Sequence, residues 1–451
     1  YYLDIIYIIF MIENTKTKKI PNNKKPNKIN RFFRILGPGI ITGAADDDPS
    51  GIATYSQTGA QFGFGMLWTA FYQIPLLIAI QETCARIGAV TGKGLAGVVK
   101  ENFSKKALLV VVFLVVIANT INIGADIGAI ASAAELVWDL PFAFYAIAFA
   151  ILIVALEVFV SYKKYVKFLK WLALVLVAYI FTALIIDHSW GEIIRATFIP
   201  SIKFDFEYLF IITGVFGTTI TPYMFFWQAS EEVEEEIAHH NLPQKGGTPH
   251  GLKKFLHNMR IDTSVGMLWS QLAQWFIIIT TASVLFKNGI TDINSAAEAA
   301  KALEPLVQSF PNSGQIAKDI FAIGIIGLGL LGIPVLAGSA AYALSEALGW
   351  KEGLYRKLSQ AKGFYAVIIA STLVGLLMNF IGINPFKALV FTAVFNGLAA
   401  VPLIFVIAKI NSNKKILGDY SGNKLSRSLV WFTFVLMAAS ALGLLYTLLN
   451  K

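Results

Sequence analysis

Eleven apolar segments follow one another along this chain of 451 residues, each of them about 17–25 residues or longer, enough to cross a bilayer. They fall near 36–62, 66–88, 107–134, 141–160, 168–186, 208–230, 261–286, 316–345, 364–382, 386–408 and 428–449. In hydrocarbon every backbone N–H and C=O must find its partner inside the protein, which leaves helices or a closed barrel, and segments of this length are helices. The expected fold class is therefore an all-α integral membrane protein of about eleven transmembrane helices. Composition agrees: 14% of residues are charged, where soluble domains carry roughly 25%. The net charge of +9 sits in the loops between apolar segments, which suits membrane topology and argues against a nucleic-acid partner. The single cysteine, Cys84, lies inside an apolar segment, cannot form an internal disulfide and reads as a packing residue.

Lys and Arg crowd alternate loops: 16–34, 93–106, 162–170, 245–260, 351–362 and 409–427. Threading eleven spans puts all six on one side. The positive-inside rule then sets the amino terminus in the cytosol and the carboxyl terminus outside, in a plasma membrane. Residues 1–34 read as a disordered basic cytosolic tail rich in Lys, Asn and Pro. Its first stretch, Tyr1 to Met11, is apolar but too short to span, and lacks the basic lead of a signal peptide. Met11 is a candidate start, which would make residues 1–10 an artefact of the reading frame.

Two of the spans are interrupted. The first reads Gly43-Ala-Ala-Asp-Asp-Asp-Pro-Ser-Gly51, with three carboxylates and a proline inside an apolar run. A carboxylate at bilayer depth costs about 2.5–3.5 kcal/mol on insertion scales, so such residues are kept for a task. Proline removes a backbone donor and disfavours the preceding helical turn. The sixth span reads Gly214-Val-Phe-Gly-Thr-Thr-Ile-Thr-Pro-Tyr223, again with a proline amid glycines and hydroxyls. Either break alone also reads as a proline kink satisfied by neighbouring helices. Five spans apart, the pair reads as an inverted five-plus-five repeat whose unwound helices meet near the midplane. The repeats would occupy 35–187 and 205–408, with an eleventh span in 426–451.

Other polar residues carry weaker signals. Glu231, Glu232, Glu234, Glu235 and Glu236 follow the sixth span and read as a solvated helix end, or as an attractant for cations. His239, His240, His250 and His257 share one loop without structural-zinc spacing. Glu157 and Glu346, at the cytosolic ends of spans four and eight, read as partners of nearby lysines. Intramembrane hydrolysis would need a His-Glu-x-x-His helix or a serine–histidine pair within the spans, and neither is present. Sodium-coupled amino-acid carriage on a similar architecture would suffer from three aspartates facing the substrate carboxylate. A cation channel is an alternative that the paired breaks disfavour.

On four anchors the chain resembles the natural resistance-associated macrophage protein (Nramp) family of divalent-metal transporters, from about residue 33 to 449. These are Gly37-Pro-Gly39, Asp48-Pro49, Thr91-Gly-Lys-Gly-Leu95 and Pro222. The resemblance implies a LeuT-type inverted repeat, a transported divalent cation in place of a cofactor, and no partner beyond that ion and the bilayer. It also implies that Asp48 is a metal ligand. The departures are as telling. Gly51 stands where the family has an asparagine ligand, Thr218 where an alanine carbonyl binds, and Thr221 where a methionine sulfur does. Tyr223 and Gln228 replace two family histidines. In the third span Asp126 stands in for a family glutamate or bonds within the bundle, and the family's aspartate position falls near Asn122 or Ile123. Asn396 of span ten is a candidate polar contributor or a helix-packing residue, while Asp46 and Asp47 are additional acids.

Loss of a thioether removes a soft ligand, and magnesium prefers all-oxygen sites that leave it several waters. The pattern is similar to the Nramp-related magnesium transporters, a divergent branch, and implies Mg²⁺ and Mn²⁺ as cargo. The conventional proton-coupled Mn²⁺ and Fe²⁺ symporter is the alternative. With both histidines replaced, no side chain of this region has an ordinary pKa near neutrality, so weak or absent proton coupling is expected.

Overall fold

A computed structural model describes residues 37–160, 176–238 and 252–450. The expected amino-terminal tail, the basic stretch at 161–175 and the loop holding His239, His240 and His250 lie outside them. In chain order the helices are α1 (Pro38–Asp46), α2 (Pro49–Phe62), α3 (Trp68–Thr91), α4 (Leu95–Asn102), α5 (Lys105–Glu135) and α6 (Phe142–Phe159). There follow α7 (Leu176–Ile185), α8 (Trp190–Phe198), α9 (Phe206–Thr219), α10 (Pro222–Ala238), α11 (Leu252–Val284), and the short α12 (Ala296–Ala300) and α13 (Glu304–Val307). Last come α14 (Ser313–Leu348), α15 (Lys362–Met378), α16 (Pro385–Asn411), the short α17 (Lys414–Leu417) and α18 (Lys424–Leu449).

Among the described residues eight stretches, with α9 and α10 taken as one, are long and apolar enough to cross a membrane. The shorter apolar α7 and α15 and the broken α1–α2 pair occupy the remaining expected spans. Burial sorts them. In the α9–α10 span 89% of the apolar window is buried, against 28% in α6, so the broken span is central and α6 peripheral. Leu109, Phe113, Ile151 and Phe432 project outward as the apolar surface that lipid would cover.

Both breaks fall at an X–Pro step. The residue before proline is pushed out of the helical region, and Asp48 is accordingly extended at φ −63°, ψ 173°. Proline alone does not end a helix here, since Pro75, Pro334 and Pro402 sit inside α3, α14 and α16. Each break also orphans a carbonyl. Pro49 removes the donor owed to Ala45, and Pro222 removes the one owed to Thr218.

Close backbone approach holds α1 in place. A Cβ on Gly43 would stand 2.3 Å from the Gly266 carbonyl oxygen of α11, and one on Gly266 would stand 2.1 Å from that of Gly39. Small residues permit this contact, the usual basis of helix association in membranes. Asp262 of α11 then fastens the helix start, accepting from the N–H groups of Gly37 at 2.9 Å, Gly39 at 2.7 Å and Ile40 at 3.2 Å. A carboxylate at a helix amino terminus also meets the positive end of the helix dipole.

The acidic run after the sixth span is not a solvated helix end. α10 continues as one helix through it, and Glu231, Glu232, Glu234 and Glu236 are buried. Packing of α10 against α3 and α14 encloses these side chains, and protein donors serve Glu232 and Glu234. Gln228 donates to Glu232 at 2.8 Å, and Glu234 accepts from the Leu354 N–H and the Tyr342 hydroxyl. Among the described residues Glu346 likewise forms no ion pair with a lysine. Its Oε2 accepts from the Gly97 N–H at 2.7 Å, at the start of α4, while Lys100 binds its backbone carbonyl. The lysines expected beside Glu157 lie at 163–170, outside the described residues, and His257 is exposed on α11.

Candidate metal site at the paired helix breaks

Asp48 caps α2, its Oδ1 accepting from the Gly51 N–H at 2.8 Å. Its Oδ2 faces the other way, accepting from Asn122 Nδ2 at 3.0 Å, with the Tyr223 hydroxyl 3.5 Å off. The residue is 2% exposed. Gly332 of α14 lies against it, for a Cβ there would stand 3.0 Å from the Asp48 Cβ. Its carboxylate is thus fixed by its own helix and α5, with Tyr223 of α10 alongside.

Asn122 and Asp126 sit one turn apart on α5. The Asn122 amide also reaches Asp126 Oδ2, at 3.5 Å. Asn122 Oδ1 and Asp126 Oδ1 are buried and have no partner among the described residues. Asp126 therefore does bond within the bundle and still keeps one oxygen for another partner. Asn122 is the residue that sequence reading undervalued. Its spacing of four from Asp126 was visible, but not its contact with Asp48.

At the second break Thr221 is buried and its Oγ1 has no partner among the described residues. Thr218 stands opposite Gly51, since a Cβ on Gly51 would lie 3.6 Å from Thr218 Oγ1 and 3.1 Å from the Asp46 carbonyl oxygen. A larger residue at 51 would occupy the gap between the two breaks. Two tyrosines stitch that gap. Tyr223 donates to the orphaned Ala45 carbonyl at 2.8 Å, and the Tyr55 hydroxyl lies 2.9 Å from Thr219 Oγ1.

The remaining candidates separate. Asn396 is buried on α16, but among the described residues no hydrogen bond ties it to either break. α16 instead reaches the first break through Ser50, whose hydroxyl donates to the Leu389 carbonyl at 3.0 Å and lies 3.4 Å from Thr392. Gln228 donates to Glu232 rather than to any break residue. Asp46 accepts from the Ser270 hydroxyl of α11, and Asp47 is wholly buried. Among the described residues no three His, Cys, Asp or Glu side chains meet as a resident metal site. What the breaks present is a set of buried oxygens: carboxylate, amide, hydroxyl and carbonyl. Such a set suits hard cations.

The protein-family model that matches is that of natural resistance-associated macrophage protein-like sequences, over residues 39–447. A similar relative is the divalent metal cation transporter MntH of Caldanaerobacter subterraneus subsp. tengcongensis, 24% identical over 423 residues, with 91% of this chain and 94% of that one covered. The MntH of Listeria monocytogenes serotype 4a is also 24% identical, over 444 residues, covering 96% and 93%. Among solved structures a manganese transporter of Eremococcus coleocola aligns with a TM-score of 0.71 at 16% identity, covering 94% of this chain and 88% of that one. Mhp1, a nucleobase-cation-symport-1 family transporter, aligns with a TM-score of 0.54 at 14% identity, covering 91% of each. At these identities the structural likenesses speak to fold alone, and the fold is the LeuT-type arrangement with broken first and sixth spans. The family match runs through both breaks and nearly the whole length, so the chain belongs to the natural resistance-associated macrophage protein family, whose members are divalent-metal transporters and not enzymes.

Proposed function

We propose that this protein imports hard divalent cations, Mg²⁺ and Mn²⁺, across the plasma membrane by alternating access, with weak or no proton coupling. The repeats 35–187 and 205–408 would supply the two moving halves. One observation carries the reading. Beside Asp48, Asn122 Oδ1 and Asp126 Oδ1 are buried oxygens without a partner among the described residues, and so is Thr221 Oγ1 at the second break, with no thioether at Thr221 and no imidazole at Tyr223. Oxygen donors do not favour soft metals over hard ones, and Mg²⁺ retains several waters when bound. Mn²⁺ is supported independently by what the structural relative is named for.

The test is uptake into proteoliposomes with Mg²⁺, Mn²⁺ or Ca²⁺ outside and a pH dye inside. Mg²⁺ should enter, or compete with Mn²⁺, without acidification that tracks metal flux. Failure of Mg²⁺ to do either would overturn the hard-cation reading. A second reading, proton-coupled Mn²⁺ and Fe²⁺ symport, draws on Asp126, a buried carboxylate linked through Asn122 to Asp48. Stoichiometric acidification with metal entry would favour it.

A further inference from the structure

Gln57 of α2 reaches across to the segment 289–295, which links α11 to α12. Its amide engages that backbone twice: Nε2 donates to the Thr291 carbonyl at 3.0 Å, and Oε1 accepts from the Ile293 N–H at 2.9 Å. Gln57 and Ile293 are both buried, and hydrogen bonds sheltered from water hold more strongly than exposed ones. α16 adds a second fastening. Asn384, the cap of that helix, donates from Nδ2 to the Asn294 carbonyl at 2.9 Å, and Lys387 lies 3.6 Å from Asp292. Both of these contacts are exposed, and an exposed ion pair contributes little. The segment is a strap, and its sheltered tie runs to α2.

Beneath the strap lies a cavity of about 260 Å³. Asn294 and Ser295 line it from the strap, Ser132 and Glu135 from the end of α5, and Ala129 of α5 and Leu389 of α16 complete the path inward. Ala129 is three residues from Asp126 on the same helix. The Leu389 carbonyl accepts from Ser50, two residues after Asp48. The cavity therefore reaches from the strap toward the Asp48 site, on the side that the proposed topology puts outside. α2 joins the two ends. Asp48 caps its start and Gln57 lies nine residues on, a separation of roughly 13 Å along a helix axis.

We propose that Gln57 is a positioning residue of the transport cycle: its paired bonds hold the strap shut over the cavity, and movement of α2 as an ion binds at Asp48 decides whether the outside entrance is open. The proposal rests on Asp48 being the transport site. Coupling between separated sites requires an element with two arrangements that both sites bias. The strap is that element, and its bonded arrangement is the closed one.

The experiment reads access to the cavity. Ser132→Cys puts a thiol in it, and Cys84 is fully buried, so an impermeant maleimide added outside reports on the strap. In this background Mn²⁺ should change the labelling rate several-fold. Gln57→Leu keeps the bulk and removes both bonds. Labelling should then rise roughly tenfold, the scale of two lost buried hydrogen bonds, and its response to Mn²⁺ should vanish while Mn²⁺ binding, followed by equilibrium dialysis, persists. A labelling rate that Gln57→Leu leaves unchanged, or a Mn²⁺ response that survives it, overturns the proposal. A second measurement leaves Gln57 in place. Asp292→Cys/Lys387→Cys, bridged by a reducible bifunctional methanethiosulfonate, should lose uptake and regain it with dithiothreitol. Undiminished uptake by the bridged protein also overturns the strap as a gate. Failure of the transport reading has a different signature, namely uptake that survives Asp48→Ala.

Discussion

Asp48 is held by a backbone N–H of its own helix and an amide of α5, with the Tyr223 hydroxyl beside it, and that restraint makes it the residue whose loss should be least tolerated. Asp48→Ala should abolish uptake of every divalent ion tested, read as radiotracer or dye flux in proteoliposomes at matched reconstitution. Thr221 offers the opposite kind of change. Its hydroxyl is buried without a partner among the described residues, so Thr221→Met puts a soft sulfur beside the site at little cost in hydrogen bonding. Cd²⁺ should then compete roughly tenfold better against Mn²⁺ or Mg²⁺, as expected for a thioether donor. An unchanged competition series would show that position 221 does not touch the ion. At this scale the sequence was legible where chain geometry decides, as at Asp48-Pro49 and Thr221-Pro222. It was opaque where a partner comes from far along the chain, as Asn122 does for Asp48 and Ser270 for Asp46.

The helices themselves follow closely from apolar length and from proline and glycine placement. Gly37-Pro-Gly39 and Thr91-Gly-Lys-Gly-Leu95 served only as family markers in the sequence, and the structure gives each a physical task. The first presents two of the three N–H groups that Asp262 accepts, those of Gly37 and Gly39, and the second leads into the helix start that receives Glu346. The misjudged element is α10. A run of five glutamates normally seeks water, but here tertiary packing, with donors from Gln228, Leu354 and Tyr342, overrides that tendency. The α1–α11 contact yields the sharpest test at this scale. Gly266→Val sets a side chain where even a Cβ would meet the Gly39 carbonyl at 2.1 Å. Backbone must then move, at a cost of about 1–3 kcal/mol or more for an overpacked site. Thermal unfolding in detergent should show a lower midpoint, and Gly266→Ala a smaller drop of the same sign.

For the molecule as a whole, orientation is the property that charge distribution alone foretells. Cys84 is fully buried and is the only cysteine, so an introduced thiol reports without background. Asn450→Cys should react with an impermeant maleimide on intact cells, whereas Lys357→Cys, exposed in the loop before α15, should react only after permeabilisation. The reverse pattern would invert the proposed topology.

The bond from Tyr223 to the Ala45 carbonyl bears on how fast an ion sheds water. An oxygen already engaged by a phenol is a poor replacement for a hydration water, so an arriving ion meets one fewer group able to strip it. Mg²⁺ dehydrates reluctantly, and a cavity that does not demand dehydration narrows the handicap it suffers against ions with labile shells. Tyr223→Phe releases that carbonyl. The expected result is a several-fold rise in the Mn²⁺ to Mg²⁺ uptake ratio in direct competition, driven by slower Mg²⁺ entry. Hydration dynamics, as much as ligand identity, would then set what this protein admits.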